Sequence, residues 1–211
     1  MKIIAPKISN ELPVRKFHDF FNGEDQELES CEVVDSVFEN EVMDRFRLYD
    51  VVVRNCSFIH TDFNQIDLTD VYFENCDFSN AKLRKSSIHR VVFKNCKLLG
   101  TDFTDSSFGN VQFEQSVLKL AAFGNSKLEK GRFQNCALKG ADFFDCKLKQ
   151  VEFQECQLDG ANLSETSLKG IDISTSTFDE LIVEIKDLRG CKVSSYQAIQ
   201  LASLMGLIVK D

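Results

Sequence analysis

The chain has 211 residues and a formal net charge of −8, with 33 acidic residues against 25 basic ones. Neutralising phosphates requires a basic surface, so this balance argues against direct nucleic-acid binding and favours a basic partner. Hydrophobic residues make up 43%, with 19 Phe and no Trp, yet no uninterrupted apolar run is long enough to cross a bilayer, and no membrane role is expected.

Residues 1–30 read as an N-terminal cap. The opening "MKIIAPKISNELP" lacks the apolar core of about 7–15 residues that a secretory signal needs, so a soluble cytoplasmic protein is expected. In "VRKFHDFF" (14–21), Phe17, Phe20 and Phe21 sit at helical spacing. They are expected to close a core whose first coil would otherwise expose apolar side chains and open strand edges.

From Leu28 to Val193 every fifth residue is Phe, Leu, Ile, Val or Met, and the position two before each is mostly small or slim. A five-residue step rotates a helix by roughly 500°, which scatters such a set around the axis. Hairpin strands fail as well, because their alternation would stop at a turn every few residues. Pentads such as "TDFNQ" (61–65), "TDFTD" (101–105), "ADFFD" (141–145) and "ANLSE" (161–165) resemble the pentapeptide-repeat family over roughly residues 31–190. That resemblance implies an all-β solenoid: a right-handed, quadrilateral β-helix with four pentads to a coil.

The columns formed at twenty-residue steps point to the same coil without the family. Val51, Val71, Val91, Val111 and Val151 share one inward column, Cys56, Cys76, Cys96, Cys136 and Cys156 the next, and Thr61, Ala81, Thr101, Ala121, Ala141 and Ala161 a third; the fourth is mainly Ser. Phe73, Phe93, Phe113, Phe133 and Phe153 stack beside them, and Leu128, Leu148, Leu168 and Leu188 form another stack. Asn55, Asn75, Asn95 and Asn135, then Gly100, Gly140 and Gly160, mark corners, since both types tolerate positive φ. With coils rising about 4.8 Å, eight coils make a rod of roughly 38 Å filled by side chains.

All eight cysteines fall on the small inward position and none forms a CxxC pair, so they read as core fillers in a reducing compartment rather than zinc ligands or a redox pair. His18, His60 and His89 share no column, so no metal or cofactor site is expected. Asp142 and Asp145 are a carboxylate pair without a cleft to desolvate them, and an enzyme is not expected.

Residues 191–211 form the C-terminal segment, in which 194–209 break the five-residue phase. Ser194 or Ser195 can cap a helix whose stripe is Ala198, Leu201, Ala202 and Met205, Gly206 should stop it, and a short strand, Leu207 to Val209, should follow. This segment has more apolar surface than one coil end needs, so Tyr196, Ala198, Ile199, Leu201, Ala202, Leu204, Met205, Leu207 and Ile208 are candidates for a two-fold homodimer interface. The ending "DLRGCKVSSYQAIQLASLMGLIV" (187–209) is similar to that of the Qnr group of pentapeptide-repeat proteins, and the chain as a whole resembles the chromosomally encoded type of Gram-positive bacteria. The resemblance implies a tail-to-tail dimeric rod that imitates duplex DNA, binds DNA gyrase and topoisomerase IV, and inhibits them or reduces their poisoning by fluoroquinolones.

Over residues 31–190 the four faces carry about −4 (Val column), −2 (Cys column), −5 (Ala/Thr column) and +4 (Ser column). Partner-binding candidates are therefore Asp62, Asp102, Asp105, Asp142, Asp145 and Glu165 on the third face, with Glu74, Glu114 and Glu152 on the first; Lys127, Lys130, Lys147 and Lys149 gather on the fourth. Such segregation favours an oriented basic partner. Qnr proteins of Gram-negative bacteria carry loops between coils that are tied to protecting gyrase. Here the phase never slips from 28 to 193, which shifts the expectation towards inhibition. The other open reading is an interaction scaffold for an unassigned partner.

Overall fold

The structure is a computed structural model and describes residues 2–17 and 27–210. Phe20, Phe21 and His18 lie outside the described residues. The chain forms a parallel β-solenoid of about eight turns. After the short strand β1 (Val14–Arg15) come seven eight-residue strands: β2 (Glu27–Val34), β3 (Arg47–Arg54), β4 (Asp67–Glu74), β5 (Ser87–Lys94), β6 (Ser107–Glu114), β7 (Lys127–Gln134) and β8 (Lys147–Gln154). They pair in sequence order as one parallel sheet. Two short strands, β9 (Ala161–Asn162) and β10 (Leu181–Ile182), continue the stack.

Register carries the architecture. Each residue pairs with the one twenty positions on, from Glu27 with Arg47 through Lys127 with Lys147 and onward to Asp172 with Lys192. The coil closes in twenty residues because every fifth residue is left-handed, from Ser30 (φ 46°) to Glu165 (φ 58°) and Gly170 (φ 81°). Each long strand therefore bends at its middle, at Ser30, Asp50, Asp70, Arg90, Asn110, Lys130 and Gln150. Asn, Asp and Gly tolerate this conformation; Leu120 (φ 58°) adopts it at a cost in backbone strain.

Strand spacing also sets the core. Rings of Phe93, Phe113, Phe133 and Phe153 stack at 4.8–5.0 Å, with interplanar angles of 3–5°. A second stack, Phe123 on Phe143, stands beside it, and Phe133 meets Phe143 edge-on at 5.8 Å and 88°. The cysteine column fills its slot with a bond as well as a volume. Cys136 and Cys156 thiols donate to the carbonyls of Phe113 and Phe133 at 3.3 Å, and where the column changes type the Ser116 hydroxyl donates to Phe93 O at 3.2 Å. The slot takes a small donor, which explains why Cys and Ser share it. Burial pushes the Cys146 thiol up to about 12.

Phe17 plugs the first coil, packed against Phe38, Phe46, Phe58 and Phe63. The residues before it do something the sequence reading did not foresee. They run as an extended strap along the outside of the rod: the Ser9 amide donates to Asp50 at 2.8 Å, the Lys7 amide to Asp70 at 2.8 Å, and the Ile4 amide to Asn110 at 3.1 Å.

At the other end Ser194 caps helix α1 (Ser195–Ala202) in a capping box with Gln197, followed by a 3₁₀ turn (Ser203–Met205) that Gly206 ends at φ 73°. One expectation needs correcting: Leu207 to Val209 form no strand. In the helical segment Leu201 of the stripe packs on the core and Ala202 is half-buried, while Ala198 and Met205 are exposed. The buried residue of the helix is Gln197, which donates to Ile173 O at 2.9 Å and Ser176 O at 2.7 Å, while Gln200 donates to Phe178 O at 2.9 Å. A coil end presents unpaired carbonyls, and amide side chains satisfy them where an apolar stripe cannot. Among the described residues no helix is long and apolar enough to cross a membrane.

Candidate functional site: the outer faces of the rod

Residues twenty apart sit one strand spacing apart, so outward charges interact along columns. On the first face this produces an ion-pair ladder. Glu74 accepts from Arg54 Nε at 3.2 Å and lies 3.3 Å from Lys94 Nζ; Arg54 also pairs with Glu32, and Arg132 pairs with Glu152 at 2.9 Å. Burial raises the Glu74 carboxyl, but the bonds from Arg54 and Lys94 outweigh it and hold it below the usual range. Glu114 is half-buried on the same face.

The strap covers the edge where the fourth face turns into the first. Asp70 is only 1% exposed; it accepts the Lys7 amide and both Arg90 Nε and Nη2 at 2.6 Å. Asp50 accepts from Ser9 N, Ser9 Oγ and Ser30 Oγ. Beside this edge Val52 and Val92 point outward yet are 6% and 4% exposed. Residues 8–13 border Val52, Glu32 and Arg54 in a surface groove. The signal for this was present in the sequence as Val52, Tyr72 and Val92, three apolar residues at outward positions where other columns are polar.

The third face is the opposite side of the square and is bare. Its second-position column runs Asp62, Lys82, Asp102, Ala122, Asp142, Asn162. Lys82 neutralises Asp62 at 3.3 Å, and Arg84 lies 3.6 Å from Asp102. From Thr101 to Ile185 this face has no lysine or arginine, and it carries Asp102, Asp105, Asp142, Asp145, Glu165 and Glu184. Glu165 and Glu184 pair with Lys186, at 2.8 and 3.1 Å, at the start of the next face. Asp105, Asp142 and Asp145 have no ion pair among the described residues.

The second-position carboxylates also serve the fold. One oxygen of each accepts the amide two residues on: Asn64 to Asp62 at 3.2 Å, Thr104 to Asp102 and Phe144 to Asp142 at 3.0 Å. Asn162 does the same for Ser164 at 3.1 Å. These are Asx turns leading into each left-handed corner. Hence the structure gathers Asp102, Asp105, Asp142, Asp145 and Glu165 on one face, and sets Glu74, Glu114 and Glu152 on the opposite one, where Glu74 and Glu152 belong to the ladder. The fourth-face lysines include Lys149, paired with Glu129 at 2.7 Å.

At the C-terminal end the apolar candidates remain largely uncovered. Tyr196, Ile199, Met205, Leu207 and Ile208 are exposed, Ile208 at 87%; Leu201 and Ala202 are half-buried and Leu201 packs on the core. Among the described residues no three potential metal ligands converge.

Two trypsin-treated variants of QnrB1, described as a plasmid-mediated fluoroquinolone resistance protein, are similar in structure. One is 21% identical, covers 94% of this chain and 97% of its own, and has a TM-score of 0.51. The other is 20% identical, covers 95% and 100%, and has a TM-score of 0.52. At this identity the likeness is one of fold. No curated protein matches. The family model for the pentapeptide repeat region matches residues 46–123 and 86–163, together more than half of the sequence. That match falls on coils whose twenty-residue register and five-residue corners have just been described, and the chain belongs to the pentapeptide-repeat family.

Proposed function

We propose that the protein binds DNA gyrase and topoisomerase IV in the Qnr manner, presenting its third face in place of duplex DNA, and thereby inhibits them or lowers their poisoning by fluoroquinolones. The observation that carries this is the cation-free stretch of the third face from Asp102 to Glu184 along the stacked coils, which suits a basic DNA-binding surface. Similarity to a fluoroquinolone resistance protein supports it. Duplex DNA carries one charge per about 1.7 Å, roughly 22 over the length of the rod. Against that, −8 per chain is small, so shape contributes much of the fit. Joining two rods through the apolar surface of α1 and residues 204–208 would double the length offered to a two-fold symmetric enzyme. The register holds at twenty from β2 through β8, leaving no inserted loop there, so inhibition is the expected outcome rather than loop-dependent protection. Such a role is cytoplasmic.

A titration of purified protein into gyrase supercoiling and topoisomerase IV decatenation assays, with and without a fluoroquinolone, tests this. Activity should fall in the low micromolar range. Lysine reversals of Asp62, Asp102 and Asp142 should weaken the effect more than glutamate reversals of Lys147 and Lys149. No inhibition and no protection at any concentration would end the reading.

A further inference from the structure

Among the described residues every phenylalanine except Phe144 is buried; Phe144 is 43% exposed. Its position follows from phase. Phe143 fills the core stack, so the next residue points away from it. Along the rod its column neighbours are Gly124, which has no side chain, and Ser164, which has a short one, so no stacked neighbour covers the ring. Packing therefore gives no reason for an aromatic here, and the corresponding positions in other coils of this face are Asn64, Arg84, Thr104 and Glu184. Around it stand carboxylates without ion pairs among the described residues: Asp142, whose Oδ1 accepts the Phe144 amide, Asp145 at the corner beyond it, and Asp105 two coils away.

Resting on the topoisomerase reading above, we infer that Phe144 is the apolar anchor of the third face, entering an apolar recess on a protein partner whose rim carries lysines and arginines. An aromatic group set among carboxylates matches the arrangement of binding hot spots, a desolvated centre within a polar rim. It also departs from simple imitation of DNA, because a phosphate backbone offers nothing apolar. The two contributions differ in salt response: charge contacts are screened as the Debye length shortens from about 10 Å at 0.1 M to about 3 Å at 1 M, and apolar burial is not.

Affinities of full-length wild type, Phe144→Ser, Phe144→Leu and Leu120→Ser for purified gyrase and topoisomerase IV, each at low and raised salt, decide the matter. Leu120 is the control, an exposed apolar residue on the second face. Phe144→Ser should bind about 30-fold more weakly with an unchanged melting temperature. Its deficit should persist at raised salt. Phe144→Leu should recover most of the affinity, and Leu120→Ser should match wild type. Equal binding by wild type and both Phe144 variants overturns the anchor and leaves the topoisomerase reading standing. Failure of wild type to bind either enzyme overturns both.

Discussion

The first and third faces are built from the same pentads on opposite sides of one coil, yet they meet solvent differently. On the first, carboxylates are consumed internally: Glu74 lies between Arg54 and Lys94, Glu152 pairs with Arg132, and the chain's own Ile4, Lys7 and Ser9 bind the adjoining edge. On the third, from Asp102 onward, no cation shares the face and an aromatic ring stands uncovered. The repeat alone therefore does not decide which face can take a partner. What decides it is whether the residue twenty positions away carries the opposite charge, and whether a distant segment covers the column.

The strap is the feature whose loss should alter the comparison most. In a solenoid each coil touches only its neighbours, so coils can open from an end one by one. Hydrogen bonds from Ile4, Lys7 and Ser9 reach Asn110, Asp70 and Asp50, and so span coils that otherwise do not touch. Replacing Asp70 by Ala removes the Lys7 contact and leaves Arg90, itself largely buried, without its carboxylate. Breaking a buried pair on one side costs about 3 kcal/mol. Native-state hydrogen exchange should show amides 4–9 losing protection together with strands β3 to β5. Loss confined to residues 4–9 would mean that the strap covers the edge without bracing it.

Acid should reproduce part of that effect without a mutation. Burial raises both strap carboxylates, but Asp50 is pulled down further by Ser9 and Ser30, and Asp70 by Arg90 and the Lys7 amide, so both end below the usual value. A depressed carboxyl contributes stability that is complete above the unfolded value near 3.9 and is lost as pH falls through the folded value. Strap amides should thus keep their protection between about pH 5 and 7 and lose it below about pH 4. Protection unchanged at pH 3 would show that the strap is held by apolar cover over Val52 and Val92 instead.

Legibility in the sequence divides along the same line. The square coil could be read because it is local: a five-residue apolar period and a corner residue in every pentad dictate the register, and Val, Cys and Phe columns repeat wherever the register repeats. The strap could not, since it joins Ile4 to Asn110 across many coils through backbone amides that no side-chain pattern reports. Phe144 lies one residue past the apolar position filled by Phe143, so the phase sets it outward, but its exposure depends on the small Gly124 and Ser164 of the neighbouring coils. Gln197 lies outside the apolar stripe and is the helix's buried seat, a role created by the open carbonyls of the last coil. The candidate carboxylates were found by charge; their division into paired and unpaired needed the side chains of the neighbouring coil.

The smallest expected effect gives the sharpest comparison, because it separates the two duties of a third-face aspartate. Asp142 Oδ1 accepts the Phe144 amide at 3.0 Å and the Asn162 side-chain amide at 2.9 Å. Asn162, one coil on, holds the corresponding turn with Ser164 at 3.1 Å, so the turn needs a side-chain carbonyl and not a charge. Asp142→Asn should therefore leave stability within about 0.5 kcal/mol of wild type, whereas Asp142→Ala should lose about 1 kcal/mol through the unmade turn bond. Topoisomerase affinity should fall in both variants, since both lose the charge, and the salt dependence of binding should weaken equally. If only the alanine variant binds poorly, Asp142 belongs to the fold alone, and the partner contact rests on Asp105, Asp145 and the aromatic ring between them.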